Sequence, residues 1–299
     1  MEVSWQGVMP ALMTEMNKDG SIDLEGTARH MESCLASGVE GFVMLGTLGE
    51  NSSLSAGEKE AVLKMATETV AGRVPVLSGV AEEPTHMAIA HSKVAKDAGC
   101  DGLMVLPCMV YPQDDREALA HFTAVAESTD MPIMIYNNPV TYHVDVSPEG
   151  FEVLADIDNI VAIKESSHDS RRVTDMFNQC GDRFRLFCGV DDLALENSLF
   201  GAVGWVSGMA NTFPREAVEL LKLANQGSVA EAVALYRWFM PALHLDVAVK
   251  LVQYIKFANQ IVGEGSEWVR RPRLCLEGEE RDMVSSVIQQ ALESRPVFS

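Results

Sequence analysis

The chain has 299 residues, of which 47% are hydrophobic and 22% are charged, and its formal net charge is -20. A duplex-binding protein needs a basic surface, and this acidic balance gives no sign of one, so we expect no nucleic-acid partner. No apolar stretch approaches the roughly 18 residues of a membrane span, and the first residues do not resemble a signal peptide. We therefore expect a cytoplasmic protein with no membrane partner.

Eight short apolar segments follow one another along the chain and are predicted to be strands. Each is almost continuously apolar, which is typical of a strand that is covered on both faces. Amphipathic segments of helical period separate them, and the spacing of the strand ends matches the length of a βα unit, about 30 residues. The pattern predicts a (β/α)8 TIM barrel rather than a doubly wound sheet. The predicted strands are 8–13, 41–45, 75–79, 103–106, 132–136, 160–164, 185–189 and 203–207.

The sequence after the last predicted strand is helical. A barrel domain is predicted over 1–227, and a C-terminal helical extension over 228–299. Ser55 and Glu58 predict a capping box at one helix start within the barrel, and Ser147-Pro148 predicts another helix start. The short interval between the last two strands leaves room only for a short helix. The helices predicted after the last strand are 214–225, 228–241, 246–262 and 277–293.

Lys164 ends the apolar segment 160–164, and Tyr136 ends the neighbouring predicted strand. Burial penalises the ammonium and lowers the pKa of a lysine, and a neutral amine can form a Schiff base with a carbonyl carbon. A phenol within hydrogen-bond reach can carry the protons that this reaction moves. The pair therefore predicts covalent amine catalysis on a keto acid. The alternative is a lysine just past the strand end, with its charge in solvent.

The turn Gly46-Thr47-Leu48-Gly49-Glu50 follows the second predicted strand. Its backbone N–H groups and the Thr47 hydroxyl could hold a carboxylate, as such turns do for anions. The alternative is an ordinary turn between a strand and a helix. No cluster of cysteine, histidine or carboxylate residues has the spacing of metal ligands, so we expect neither a metal nor a cofactor.

Four motifs together resemble the dihydrodipicolinate synthase and N-acetylneuraminate lyase family of class I Schiff-base lyases. They are the turn 46–50, Tyr136-Asn137-x-Pro139, residues 163–166 and Gly189-x-Asp191. The resemblance covers essentially the whole chain and implies a barrel with a C-terminal extension, usually a homotetramer, that binds a 2-oxo acid as an imine. It implies Lys164 as the Schiff-base lysine, Tyr136 as the proton shuttle, and Thr47 with the Leu48 N–H as carboxylate binders. The other predicted substrate-binding residues are Asn138, His143, Ser166, Gly189, Asp191 and Ser207.

Three departures argue against synthesis of dihydrodipicolinate. Leu48 stands where those synthases resemble one another in having a second threonine, and Thr141 stands where they usually have an arginine for the aldehyde substrate's carboxylate. Tyr111 is offset from the tyrosine that their loop after strand 4 lends to a neighbouring subunit. A site built to hold a second carboxylate would not lose its guanidinium, because a buried unpaired charge costs several kcal/mol.

Asn138, Tyr142 and His143 replace these groups after the fifth predicted strand. The segment resembles family members of hydroxyproline breakdown, which convert 1-pyrroline-4-hydroxy-2-carboxylate to 2,5-dioxopentanoate with loss of ammonia. That substrate has one carboxylate, so we predict this deaminase activity. The alternatives are a 2-keto-3-deoxy sugar acid dehydratase or aldolase, dihydrodipicolinate synthase, and a sugar-acid-binding regulator without turnover. For His143 the alternative is a surface-loop histidine without a role.

Overall fold

Eight parallel strands form a barrel at the centre of the molecule. The computed structural model describes Met1 and residues 3–298. Each strand pairs with the next, the last pairs with the first, and a bridge between Ala11 and Val43 joins the two remaining edges. The predicted (β/α)8 TIM barrel is confirmed. The strands are β1 Gly7–Pro10, β2 Phe42–Met44, β3 Val76–Val80, β4 Gly102–Val105, β5 Ile133–Asn137, β6 Ile160–Glu165, β7 Arg185–Cys188 and β8 Gly204–Ser207.

Helices connect the strands and cover the outside of the barrel. The predicted capping box of Ser55 and Glu58 forms, and Ser147 caps the helix that begins at Pro148. None of the helices in the described part of the chain combines the length and apolar character that crossing a membrane requires. The helices are α1 Leu24–Ala36, α2 Ala56–Val70, α3 Thr85–Asp97, α4 Asp115–Glu127, α5 Pro139–Tyr142, α6 Pro148–Leu154, α7 Arg171–Cys180, α8 Ala194–Leu199, α9 Pro214–Asn225, α10 Val229–Leu243, α11 Leu251–Val262 and α12 Gly278–Glu293.

Buried apolar side chains fill the inside of the barrel. Side chains from strands on different sides of the barrel can meet only across its interior, where they form a floor beneath the carboxyl ends of the strands. A second apolar cluster fills the space between the strands and the helices that surround them. The interior cluster includes Met9, Val43, Leu77, Met104, Met134 and Phe187.

The three helices α10, α11 and α12 pack on the barrel through a shared core. Phe213 at the start of α9 belongs to the same buried cluster as Phe239 of α10 and Ile288 of α12. Because this core crosses residue 228, the division into 1–227 and 228–299 stays a prediction. The short α8 has six residues, as the interval between the last two predicted strands requires.

The predicted helix 246–262 is shorter than expected, because α11 begins at Leu251. Residues 244–250 form turns between α10 and α11. Val247 and Val249 are β-branched, and β-branched residues are weak helix formers. Side chains from this segment reach the cavity described below. Tertiary contacts thus override the apolar spacing from which the helix was predicted.

Candidate active site

A cavity of about 320 Å³ opens at the carboxyl ends of the strands. Its walls are made by strand ends and by the loops that follow them, which is where enzymes of this fold carry their active sites. Seven of the ten predicted site residues meet there. They are Lys164, Tyr136, Thr47, Leu48, Asn138, Ser166 and Gly189.

The neighbouring strands β5 and β6 place Tyr136 and Lys164 side by side, because the two residues are direct partners in the parallel register. The Lys164 Nζ atom lies 4.0 Å from the centroid of the Tyr136 ring, and both side chains are buried. Burial lowers the pKa of Lys164, while Tyr142, Asp246 and Asp191 act in the opposite direction. The amine is thereby shifted toward its neutral form, which is the nucleophilic one.

The space around Lys164 depends on the glycine at position 189. A Cβ atom there would lie 2.0 Å from the Ser166 Oγ atom and 2.8 Å from the Lys164 Cε atom. Contacts this short would force both side chains to move. Gly189 therefore contributes to the site by leaving room for the lysine.

Hydroxyl groups surround the same part of the cavity. The Asn138 amide donates a hydrogen bond of 3.0 Å to the Tyr136 hydroxyl, and the Thr47 and Tyr142 hydroxyl oxygens are 2.6 Å apart. The rings of Tyr136 and Tyr142 meet edge to face, with centroids 5.5 Å apart. Burial raises the pKa of both phenols, so both favour the protonated form that can donate a proton.

Tyr142 reaches Thr47 because the chain turns back immediately after β5. The Asn138 side chain accepts a hydrogen bond from the Thr141 N–H and so caps the short helix α5. This single turn directs Tyr142 into the cavity, where it is buried. The sequence analysis named Tyr142 as a replacement group but did not include it among the site residues.

The turn 46–50 is held in place by a buried ion pair. The Lys256 Nζ atom of α11 donates to the Glu50 Oε1 atom at 2.7 Å, and both side chains are fully buried. The Arg270 backbone N–H donates to the other carboxylate oxygen at 3.0 Å. Helix α11 and the segment between α11 and α12 thus fix the turn that carries Thr47 and Leu48. The sequence contains no signal for this pair, since a lysine in an amphipathic helix is usually exposed.

Three predicted site residues do not line the cavity. His143 is exposed and ends α5 in a left-handed conformation, with φ of 59°. Asp191 is fully buried and accepts hydrogen bonds from the Trp205 indole, the Ser207 hydroxyl and the backbone after β8. Burial raises the pKa of Asp191 to about 6. Direct substrate contacts for these three residues do not follow from the geometry, and Asp191 with Ser207 holds the end of β8 instead.

Other residues line the cavity that the sequence analysis did not assign to it. Asp246, Val247 and Val249 come from the turn before α11, and His168 comes from the loop after β6. Among the described residues that line the cavity, Lys164 is the single lysine or arginine. Thr141 also lines the cavity.

Comparison with known proteins places these features in context. A model of the dihydrodipicolinate synthetase family matches residues 4–291. The chain is 34% identical over 289 residues to a 4-hydroxy-tetrahydrodipicolinate synthase of Ruegeria pomeroyi, which covers 96% of this chain and 99% of the relative. The crystal structure of dihydrodipicolinate synthase from Aquifex aeolicus superposes with a TM-score of 0.91 at 29% identity, over 96% of this chain and 98% of that one. A prophage protein from E. coli K12, solved in complex with pyruvate, also has a TM-score of 0.91 at 29% identity, over 97% and 99%.

Proposed function

Because the chain belongs to the dihydrodipicolinate synthetase family, we propose that it is a lyase that binds a 2-oxo acid or cyclic imino acid as a Schiff base on Lys164. Three observations support this role for the lysine. Its side chain is buried, burial lowers its pKa, and it lines the cavity beside a phenol. The pyruvate complex of the E. coli prophage protein shows that a relative with this fold accepts a 2-oxo acid.

The surrounding residues have complementary roles in this proposal. The Lys164 amine attacks the carbon next to the substrate carboxylate, and the Tyr136 phenol carries the protons that the addition and elimination steps require. Thr47 and the Leu48 N–H hold the carboxylate. The Asn138 amide donates to the Tyr136 oxygen and so leaves the phenolic proton free to point toward the substrate.

The substrate we propose is 1-pyrroline-4-hydroxy-2-carboxylate, and the observation that carries it is the charge of the cavity lining. With Lys164 as the single lysine or arginine there, the cavity suits a substrate with one carboxylate. Attack on C2 opens the ring, loss of a C3 proton gives an enamine, and the C4 hydroxyl leaves as water. Hydrolysis then releases ammonia and 2,5-dioxopentanoate. The balance is one substrate and one water in, and one product and one ammonia out.

The second candidate is 4-hydroxy-tetrahydrodipicolinate synthase, the name carried by the similar relative from Ruegeria pomeroyi. That reaction condenses pyruvate with aspartate semialdehyde, which brings a second carboxylate into the cavity. Thr141 offers this carboxylate no positive charge, and Tyr111 is 46% exposed and does not line the cavity. A lyase for 2-keto-3-deoxy sugar acids is equally compatible with the charge of the cavity lining. The activity assay below distinguishes it from the deaminase.

The test is a comparison of kcat/KM on one preparation of the purified protein. Ammonia release from 1-pyrroline-4-hydroxy-2-carboxylate should exceed both condensation of pyruvate with aspartate semialdehyde and turnover of 2-keto-3-deoxy sugar acids. Thr141→Arg should not by itself create the condensation, because Leu48 remains. If kcat/KM for the condensation equals or exceeds kcat/KM for the deamination, the synthase becomes the better-supported function. The homotetramer stays a prediction, which sedimentation velocity of the same preparation would check.

A further inference from the structure

Asp246 brings a carboxyl group to the wall of the cavity from the turn between α10 and α11. It lines the cavity together with Lys164 and Tyr136. A Cβ atom at position 208 would lie 2.0 Å from the Asp246 Oδ1 atom, so the carboxyl packs directly against the backbone after β8. Only a glycine at position 208 leaves room for it there.

Asp246 is also the single aspartate or glutamate among the described residues that line the cavity. The neighbouring carboxylate of Asp192 is paired with the exposed His244 at 2.8 Å. Asp246 has no such cationic partner in the described part of the chain. Its carboxyl is therefore available to a bound substrate.

The charges that face Asp246 favour its protonated form. Burial raises the pKa of Asp246 well above its usual range, and the carboxylates of Asp191 and Asp192 raise it further. Lys164 acts in the opposite direction, as does a hydrogen bond from the Asp191 backbone. A carboxyl whose pKa is raised keeps its proton to higher pH, and a protonated carboxyl can act as a general acid.

We propose that Asp246 is a further catalytic residue, the acid that protonates the C4 hydroxyl of the bound substrate as this hydroxyl leaves. The inference rests on the proposed deaminase function. Hydroxide is a poor leaving group, so the elimination needs a proton donor away from C2. Lys164 is bonded to C2 at this stage, and Tyr136 lies beside it. Asp246 is the remaining carboxyl acid of the cavity.

The step is balanced without any further reactant. In the enamine, the nitrogen lone pair of Lys164 reforms the imine to C2, a double bond forms between C3 and C4, and the C4–O bond breaks. The proton of Asp246 moves to the departing oxygen, which leaves as water. The new carboxylate is stabilised by the cationic imine nitrogen. The double bonds then shift toward the amine as C5 releases a proton to water, and Asp246 takes up a proton from water before the next turnover.

The experiment compares Asp246→Asn with the wild type on two probes, 1-pyrroline-4-hydroxy-2-carboxylate and its 4-chloro analogue. Chloride leaves as an anion and needs no proton. General acid catalysis contributes about 10²–10⁴-fold, so kcat for ammonia release from the hydroxy substrate should fall by that factor. With the chloro analogue it should fall less than about tenfold, since only the acid step is bypassed.

Two further measurements separate a catalytic role from a structural one. Borohydride trapping of pyruvate on Lys164 should be at least as fast in Asp246→Asn as in the wild type, because Asp246 acts to raise the pKa of Lys164, and the trapping also reports a folded site. Asp246→Ala should regain hydroxy-substrate turnover on addition of formate, a small acid that can occupy the vacated space. The matched control is Asp182→Asn, which removes an exposed carboxylate in the loop before β7 that does not line the cavity, and it should leave both rates unchanged.

Equal losses on the two probes would mean that Asp246 orients the lysine, and would overturn the inference. So would slower trapping, or a loss under tenfold on the hydroxy substrate. In each of these cases the proposed function stands as long as the wild type releases ammonia. A wild-type protein that releases no ammonia from either probe would overturn the proposed function and the inference together.

Discussion

The buried ion pair between Lys256 and Glu50 should couple the stability of the protein to the geometry of the turn 46–50, which we propose holds the substrate carboxylate. Lys256→Met keeps most of the aliphatic side chain and removes the charge. It leaves the fully buried Glu50 with the Arg270 N–H and with Arg273, whose nearest nitrogen is 3.7 Å away. Burial lowers the pKa of Lys256, and the Glu50 carboxylate acts in the opposite direction, so the lysine relies on this partner for its charge.

The expected cost follows from the contact distance. Two charges 2.7 Å apart attract each other by about 6 kcal/mol at an effective dielectric constant of about 20. Removing both from water costs several kcal/mol per ion, so the intact pair contributes little net stability. Removing one partner leaves the other unpaired, which costs about 3–5 kcal/mol. Arg273 is 22% exposed and offsets part of this, so we expect Lys256→Met to cost about 3 kcal/mol.

Urea unfolding followed by tryptophan fluorescence measures this cost in the wild type, Lys256→Met, Glu50→Gln and the double variant. The double variant should be more stable than the sum of the single losses implies, because neither buried charge remains. The single variants should also raise the pyruvate concentration needed for half-maximal borohydride trapping, since the turn 46–50 carries Thr47. Lys250→Met is the control, because its pair with Glu280 is partly exposed and worth at most about 1 kcal/mol. Strictly additive losses, or a loss in Lys256→Met no larger than in this control, would refute the reasoning.

Four other expectations concern the chemistry. Borohydride with pyruvate should add mass to the peptide that contains Lys164, and Lys164→Ala should lose essentially all turnover while staying folded; mass on another lysine, such as Lys250, would move the assignment. Tyr136→Phe should lower kcat by about 10²–10⁴-fold. A loss under tenfold would mean that another group carries out the proton transfer. The trapping rate should rise with pH and level off below pH 10.4, about the pKa of a free lysine, because burial lowers the pKa of Lys164. A midpoint at or above about pH 10.4 would contradict a lowered pKa of Lys164. Activity should survive exhaustive treatment with EDTA, since an imine holds electrons without a Lewis acid, and a loss that zinc or magnesium restores would contradict this.

The sequence by itself determined the barrel and the neighbouring positions of Tyr136 and Lys164 at the ends of its strands. Eight almost continuously apolar segments at the spacing of βα units are compatible with few folds other than a closed parallel sheet, because strands in such a sheet are covered on both faces. The end of each segment then marks the rim where enzymes of this fold work. Tyr136 and Lys164 end neighbouring segments, and the structure places them as direct partners. These relations are local along the chain, or follow from strand order alone.

The tertiary structure alone decided which of the remaining polar residues face the cavity. Gly189 and Asp191 belong to one motif, yet only the glycine lines the cavity. The Asp191 carboxylate instead accepts a hydrogen bond from the Ser207 hydroxyl at the end of β8. Asp246 fits a helical pattern, and only the packing of the turn before α11 brings it to the site. Thr47 and Tyr142 are 95 residues apart in the chain, and Glu50 and Lys256 are 206 apart. Apolar periodicity reports which face of an element is covered, but the partner of a polar side chain depends on how distant segments pack, and no local pattern encodes that distance.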